Sequence, residues 1–252
     1  MAAPPYHDEI LRSVAEDVRA TLAGELGPQP LAALIDEVFA LNDTLTAALD
    51  AKEPAALRRL PVCRPGCDSC CRLHVVFVTP AEALRIADHV RATRTPVEVE
   101  ALIARLHEVA PRVAEMTVKE RAEARIPCPL LDAHGACGVH PARPLLCRAY
   151  NSCDLAACLT AFGAGDPETK LPCNANQAVV GKTLFAALVL GGGAGRDLGP
   201  LELIHGVLTA LTAEDATNRW LLGESVFSPE HARVSREAAE GWEVFVAREA
   251  SR

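Results

Sequence analysis

A chain of 252 residues, half of them hydrophobic and 23% charged, is large enough to bury a substantial core and has the composition of an ordinary globular protein. The formal net charge of −8 argues against a non-specific nucleic-acid or anionic-membrane surface, because such surfaces need an excess of lysine and arginine. We therefore expect neither a nucleic acid nor a membrane as partner.

The N-terminal region, residues 1–60, is predicted to be a helical hairpin. Gly27-Pro28 interrupts the stretch 7–50 and separates two helices. Apolar residues in the second of these recur at helical spacing. They are Leu31, Leu34, Ile35, Val38, Leu41, Leu45 and Leu49.

The central region, residues 61–175, opens with "CRPGCDSCC" at Cys63–Cys71. A short strand over 74–78 is expected next. Two threonine–proline pairs, each with a glutamate at the third helical position, then have the residues of capping boxes. They predict helices over 80–93 and 96–124, the second with a kink at Pro111.

Residues 126–148 carry four prolines, two glycines and three cysteines, and show neither helical nor strand periodicity. Long irregular segments inside compact domains are usually functional. Further helices are predicted from about 153 and, across the C-terminal region 176–252, over 175–191, 200–213, 214–222 and 229–247. The predicted fold is mostly α: one integrated helical domain that encloses irregular cysteine-rich loops, which the cysteine patterns below predict to bind metal.

Seven of the ten cysteines fall in the two irregular segments rather than on apolar helix faces. The first 18 residues show neither a basic stretch nor an apolar stretch of a secretory signal, so a cytoplasmic protein with reduced thiols is expected. That disfavours structural disulfides. Cys67-x-x-Cys70 lacks the βαβ context of a thioredoxin-type redox pair.

Two interpretations of the thiols involve metal. Cys63-x3-Cys67-x2-Cys70 matches the three-cysteine spacing of radical-SAM iron–sulfur enzymes, but those enzymes resemble partial α/β barrels and this chain is predicted to be helical. Direct chelation fits better, because thiolates two or three residues apart can turn toward one ion across a bend such as Pro65-Gly66. The side chains of adjacent Cys70 and Cys71 diverge, which predicts more than one metal or a cluster.

The stretches "CRPGCDSCC", "CPLL" and "CGVHPARPLLCRAY" resemble the CxxCxxCC cysteine-cluster family, also called the YkgJ-type family of zinc- or iron-chelating domains. The likeness covers about residues 63–150 and departs from the family pattern by one extra residue between Cys63 and Cys67. The resemblance implies zinc or iron, or an iron–sulfur cluster. It implies these metal ligands: Cys63, Cys67, Cys70, Cys71, Cys128, Cys137 and Cys147.

Cys158 is our choice for an eighth ligand that would complete two four-thiolate sites. Cys173 is its rival, and Cys153 is expected at a helix start instead. Arg143 and Arg148 flank Cys147, and we expect their guanidiniums to donate hydrogen bonds to thiolate sulfur.

The expected function is therefore metal binding, in the sense of metal chelation or handling. One alternative is a metal-dependent enzyme such as a protein lysine methylase, since flagellin lysine methylases resemble the same family. Another alternative is a structural zinc site in an interaction module. No general acid–base pair is recognisable, so the sequence leaves enzymatic activity open.

Overall fold

A computed structural model describes the protein over residues 7–24, 27–114, 116–164, 171–192 and 200–227. The mostly α prediction is confirmed, since the described chain forms helices and one two-stranded sheet. The helices are α1 His7–Ala23, α2 Pro28–Lys52, α3 Ser69–Leu73, α4 Pro80–Thr93, α5 Pro96–Val113, α6 Val118–Ala124, a 3-10 turn at His140–Ala142, α7 Leu145–Ala149, α8 Leu155–Ala164, α9 Ala175–Gly191, α10 Leu203–Thr212 and α11 Ala216–Leu221. The strands are β1 Phe77–Val78 and β2 Leu201–Glu202.

Helix α9 is the centre of the packing. Helices α1, α2 and α7 all pack against it, while α10 packs on α4 and α5. Two glycines allow the close approach: a Cβ on Gly191 would lie 2.7 Å from the carbonyl oxygen of Ala15 on α1, and one on Gly181 would lie 2.9 Å from the Cβ of Ala149 on α7. The buried apolar side chains form one cluster that runs from Leu11 to Phe227. The division of the chain at about residues 60 and 175 stays a prediction.

The single helix predicted over 96–124 is wrong. Helix α5 ends at Val113, and α6 begins at Val118. The reason is a third capping box, in which Thr117 accepts from the backbone of Glu120 and Glu120 accepts from the backbone of Thr117. Pro111, where a kink was expected, lies inside α5.

The strand predicted over 74–78 is shorter in the structure, where β1 pairs antiparallel with β2 in the register Phe77↔Glu202 and Val78↔Leu201. The helix predicted over 200–213 begins later, at Leu203, because residues 201–202 form β2. Glu202 stops the helix there, because its carboxylate accepts from the N–H groups of Ile204 and His205 as an N-cap. The helix predicted over 229–247 lies outside the described residues.

Within the described ranges, no helix combines the length and the apolar character that crossing a bilayer would require.

Candidate metal centre

A cavity of about 430 Å³ opens between α3, α7 and the irregular segment before α7. Thiol-bearing residues from both cysteine-rich segments line it together with apolar and a few polar side chains. The cysteines in its wall are Cys63, Cys67, Cys70, Cys71, Cys128, Cys137 and Cys147, the seven that the family resemblance nominated.

The first segment reaches the cavity through a tight bend that leads into a short helix. Gly66 has φ of 83°, in the left-handed region that glycine adopts without strain, and the N–H of Cys67 donates to the carbonyl of Arg64 at 2.9 Å. Helix α3 then carries Cys70 and Cys71. An ion pair between Arg72 and Asp68, at 2.7 Å, spans the start of this helix.

The second segment is bound directly to the first. The N–H of Cys128 donates to the carbonyl of Cys71 at 3.0 Å. A bridge between Leu131 and Cys137 then folds the chain back in a small hairpin, so that Cys128 and Cys137 come from its two arms. Its turn lies against the first segment, since a Cβ on Gly66 would be 3.3 Å from the carbonyl oxygen of His134.

Cys147 is positioned by a buried carboxylate. Glu82 is fully buried and belongs to the capping box of α4, but its second oxygen, Oε1, accepts from the N–H of Leu145 at 2.9 Å. Leu145 is the first residue of α7, which carries Cys147. One side chain therefore fixes the start of two helices and the direction in which Cys147 enters the cavity.

The thiols are crowded enough to repel one another in their ionised forms. Burial raises the pKa of Cys128 to about 12, and burial with the neighbouring Cys128, Cys70 and Cys137 raises the pKa of Cys147 well above its usual value. The pKa of Cys70 is also raised, first by a hydrogen bond with Cys71 and then by burial. Among the described residues, however, no three His, Cys, Asp or Glu side chains converge closely enough to hold a metal ion. The thiols would have to draw together on a metal.

Two arginines place positive charge beside the thiols. Arg143 lines the cavity, and its charge favours the ionised forms of Cys70, Cys137 and Cys147. Its Nε is buried and has no hydrogen-bond partner among the described residues.

Arg121 stands behind Cys128 and favours its ionised form in the same way. It is 4% exposed, and its Nη1 likewise has no partner within the described chain. Buried, unpaired N–H groups are costly, and they suit a site that gathers negative charge. Sequence reasoning missed Arg121, since nothing in the sequence brings α6 to Cys128.

The role expected for Arg148 is wrong in this structure. Its guanidinium donates to Asp43 at 3.1 Å and to the carbonyls of Arg143 and Pro141 at 2.8 and 3.0 Å, and it lies 4.6 Å from the ring centroid of Phe39. These partners all lie on α2 or in the segment before α7. Arg148 therefore fastens the segment that carries Cys147, and Arg143 is the arginine that faces the thiols.

Aromatic and amide side chains complete the cavity wall. Tyr150 lines the cavity and stacks on His74 with ring centroids 4.5 Å apart. Burial, then the neighbouring Cys147 and Cys70, raises the pKa of Tyr150 to about 12, so its hydroxyl remains protonated. Asn151 and Gln177 also line it, and His140 lies exposed at its edge.

The remaining cysteines lie outside this wall. Cys158 is buried on α8, hydrogen-bonded to Ser69 of α3 and within electrostatic range of Cys67, Cys70 and Cys63. Cys153 comes just before α8, as expected, and lies near Cys173. The choice of Cys158 over Cys173 as an eighth ligand stays a prediction. All ten cysteines are free thiols.

A family model matches the cysteine-rich part of the chain. Residues 62–167 match the CxxCxxCC family, described as a "putative zinc- or iron-chelating domain". The resemblance seen in the sequence is thereby confirmed over this segment, which contains all seven cysteines of the cavity wall. No curated protein and no solved structure matches the chain significantly.

Proposed function

We propose that the protein chelates zinc or iron through cysteine thiolates in this cavity. The observation that carries the proposal is that seven cysteines, from segments far apart in the chain, line the wall of one cavity. Thiolate is the ligand type that zinc, copper(I) and iron–sulfur clusters prefer. The charges of half-buried Arg143 and buried Arg121 fit the same role, because a metal held by several thiolates is a net anion.

The proposed centre holds more than one ion, or a cluster. A closed zinc shell uses four ligands, and the wall offers seven thiols. Cys70 and Cys71 are neighbours on α3, so one of them can bind a second metal or bridge two. In this proposal Cys158 is the eighth ligand, which would enter the centre by a shift of α8 or α3. Because the chemistry needs reduced thiols, we place the protein in a reducing compartment such as the cytoplasm.

The test is metal analysis of protein purified without oxygen, with its ultraviolet–visible spectrum. Broad absorption near 400 nm indicates an iron–sulfur centre, and a colourless metalloprotein indicates zinc. Cys70→Ser and Cys147→Ser should each lose bound metal, because both thiols belong to one centre. Cys158→Ser should lose metal as well if it is the eighth ligand. Protein that holds no zinc or iron after exposure to either metal under reducing conditions would refute the proposal.

A second candidate is a metal-dependent enzyme such as a protein lysine methylase, and the size of the cavity favours it. Small-molecule sites usually have volumes of about 300–1,000 Å³, and this cavity has about 430 Å³ with Tyr150, Asn151 and Gln177 in its wall. Incubation of metal-loaded protein with S-adenosylmethionine and lysine-containing peptides, followed by mass spectrometry, would detect methyl transfer. A Tyr150→Phe variant with unchanged metal content would then separate catalysis from chelation.

A further inference from the structure

An exposed segment rich in arginine and apolar residues leads to the edge of the cavity. This segment 57–64 reads "LRRLPVCR", with three arginines and no lysine or acidic residue, in a chain whose formal net charge is −8. Leu57 and Leu60 are 68% and 65% exposed, and Val62 is exposed as well. Near its end the segment lines the cavity at Cys63. Apolar side chains and positive charges are therefore exposed to solvent beside the thiols.

The fold holds this segment in place without covering it. At its start, the N–H groups of Leu57 and Arg58 donate to the carbonyl of Pro54 at 2.9 and 3.2 Å. Further along, the N–H of Val62 donates to the carbonyl of Ser152 at 2.8 Å. A segment that is already ordered loses little conformational freedom when a partner binds to it, and this favours binding.

The arginines of the segment have no acidic partner within the described chain. Arg58 donates to the backbone carbonyls of Ala51 and Glu53 at the end of α2, at 3.4 and 3.3 Å. No carboxylate among the described residues forms an ion pair with Arg58, Arg59 or Arg64. Three guanidinium charges are therefore free to pair with carboxylates from outside the described chain.

The composition of the segment is that of a protein interface. Single exposed apolar side chains are ordinary, but apolar side chains grouped among polar ones mark interaction sites. Arginine is enriched in protein–protein interfaces, whereas lysine, aspartate and glutamate are depleted there. Segment 57–64 has arginine and apolar residues and none of these three depleted types.

We propose that segment 57–64 docks a partner protein through a stretch of that partner that carries both acidic and leucine-like apolar side chains. Carboxylates of the partner pair with the guanidiniums, whose planar fork suits them, and its apolar side chains cover Leu57 and Leu60. The docked stretch reaches Cys63, which is exposed and also lines the cavity. The inference rests on the proposed chelating function, because docking here places the partner where it can deliver or receive a metal ion.

Charge distinguishes this partner from two others. A second copy of the chain, bound through a two-fold symmetric contact, would place the same arginines against one another, and like charges in contact are costly. An anionic membrane is an extended surface that would also meet the acidic remainder of a chain with net charge −8. A short acidic stretch of a protein meets the segment alone.

The experiment uses a short fluorescein-labelled peptide of Glu-Glu-Leu repeats and a second peptide with lysine in place of glutamate. Fluorescence anisotropy measures their affinities for reduced, metal-free protein. We expect R58E/R59E to bind the glutamate peptide about tenfold or more weakly than the wild type does, because like charges then meet. The lysine peptide should bind this variant more tightly than the wild type. L57S/L60S should also bind the glutamate peptide more weakly, because the apolar contacts are lost.

Alkylation locates the bound peptide. Labelling by iodoacetamide, read by mass spectrometry, should show that the glutamate peptide protects Cys63 in the wild type but not in L57S/L60S. The matched control is V97S/L222S, which replaces two apolar side chains that are 74% and 80% exposed elsewhere on the surface and should keep the wild-type affinity. None of the substituted residues lines the cavity, so the zinc content of each loaded variant should equal that of the wild type.

The outcomes separate the docking surface from the chelating function. Equal affinity of the glutamate peptide for the wild type and R58E/R59E, or no binding to either, would overturn the docking surface and leave chelation standing. Dimerisation that L57S/L60S abolishes would overturn it in favour of a second copy of the chain. Binding to phosphatidylserine vesicles that L57S/L60S abolishes would overturn it in favour of a membrane. Protein that docks the peptide but takes up neither zinc nor ferrous ion would refute the chelating function while the docking surface stands.

Discussion

Arg143 and Arg148 flank the same cysteine, yet their side chains have different partners. Arg148 is held by Asp43, two backbone carbonyls and the ring of Phe39. Arg143 borders the cavity with a buried, unpaired Nε. The sequence predicted that a guanidinium lies beside the thiolates, but it could not say which arginine supplies it. Arg148 donates instead to Asp43 on α2, and this contact is between residues far apart in the sequence.

Replacing Arg143 should weaken metal binding. Loss of its charge and its N–H donors removes stabilisation of the thiolates, so Arg143→Met should lower metal affinity about 10- to 100-fold. The metal affinity of Arg143→Lys should lie between those of the wild type and Arg143→Met, because lysine keeps the positive charge but lacks the planar guanidinium. Competitive chelator titration measures the three affinities. The matched control is Arg148→Lys, and equal losses in Arg143→Met and Arg148→Lys would contradict the assignment.

Replacing Arg148 should act on stability. Arg148→Ala leaves two carbonyls without their donor and exposes the face of Phe39, and the wild-type side chain is only 10% exposed. An unsatisfied carbonyl costs about 1–3 kcal/mol when it is fully buried and less when it is part-buried, as these two are. A chain of this size loses about 2–4 °C in Tm per kcal/mol. A Tm several degrees lower in metal-free protein is expected by differential scanning calorimetry. An unchanged Tm would show that the contacts of Arg148 make no net contribution to the free energy of unfolding.

The sequence predicts best those helices whose first residues form a recognisable capping box. The boxes at Thr79 and Thr95 were visible as threonine–proline pairs, and α4 and α5 begin where expected. Thr117 has no proline after it, so its box was missed and α6 was merged with α5. Helix α7 was missed for another reason: its five residues are held by Glu82 and by packing on α9, and no local pattern encodes either contact.

Glu82 offers a test of how elements position the centre. In Glu82→Gln, a single amide oxygen cannot accept from both Thr79 and Leu145, so the start of α7 should loosen and Cys147 should be less protected. We expect Tm to fall by several degrees, from about 1–3 kcal/mol, and alkylation of Cys147 by iodoacetamide in metal-free protein to become faster.

Glu98→Gln is the matched control for that experiment. Glu98 makes the same capping box on α5, where it is exposed and its hydrogen bonds within the described chain stay in that box. Its replacement should cost less stability and leave the alkylation of Cys147 unchanged. Equal effects of the two substitutions would mean that the bond from Leu145 to Glu82 does not position Cys147.

Across the whole molecule, the sequence identified the thiols of the cavity wall but not what brings them together. The family resemblance implied seven ligands, and these seven cysteines line one cavity. Their convergence depends on long-range contacts such as the bond from Cys128 to Cys71 and that from Leu145 to Glu82. The cavity's volume and the charge of Arg121 also come from packing between distant elements, which periodicity and motif spacing do not report.

The raised thiol pKa values predict that metal-free protein loses stability in alkaline solution. Cys128 has a folded pKa of about 12, above the unfolded value of about 8.5. Between these values the unfolded chain has fewer bound protons than the folded one, so the free energy of unfolding falls as pH rises, by up to about 1.4 kcal/mol per pH unit for each such thiol. Urea unfolding of metal-free protein at pH 7 and pH 10 measures the loss.

The metal-loaded protein is the control for this pH series. Its ligands are already thiolates, so the loss of stability that protonated thiols cause should be absent. Below pH about 8.5 these thiolates should instead make stability rise with pH, because the unfolded chain then binds protons that the loaded protein does not. Loaded and metal-free protein with the same change in stability would contradict the idea that the crowded thiols cause it.

Removal of the metal should lower the stability of the whole fold. The segments that carry the thiols have little regular structure, and metal bound only by the folded state adds its binding free energy to the free energy of unfolding. Thiols that do not yet converge on an ion would be drawn together by it and would tie α3, the hairpin around residue 135 and α7 to one point. Chelation, verified by metal analysis, should therefore lower Tm by several degrees or more, and re-addition of zinc or iron should restore it.

The helices packed around α9 should keep most of their far-ultraviolet circular dichroism after chelation, because their core is formed by apolar side chains rather than by thiols. An unchanged Tm after complete removal would show that the unfolded chain binds the metal as well as the folded protein does, and would contradict this prediction.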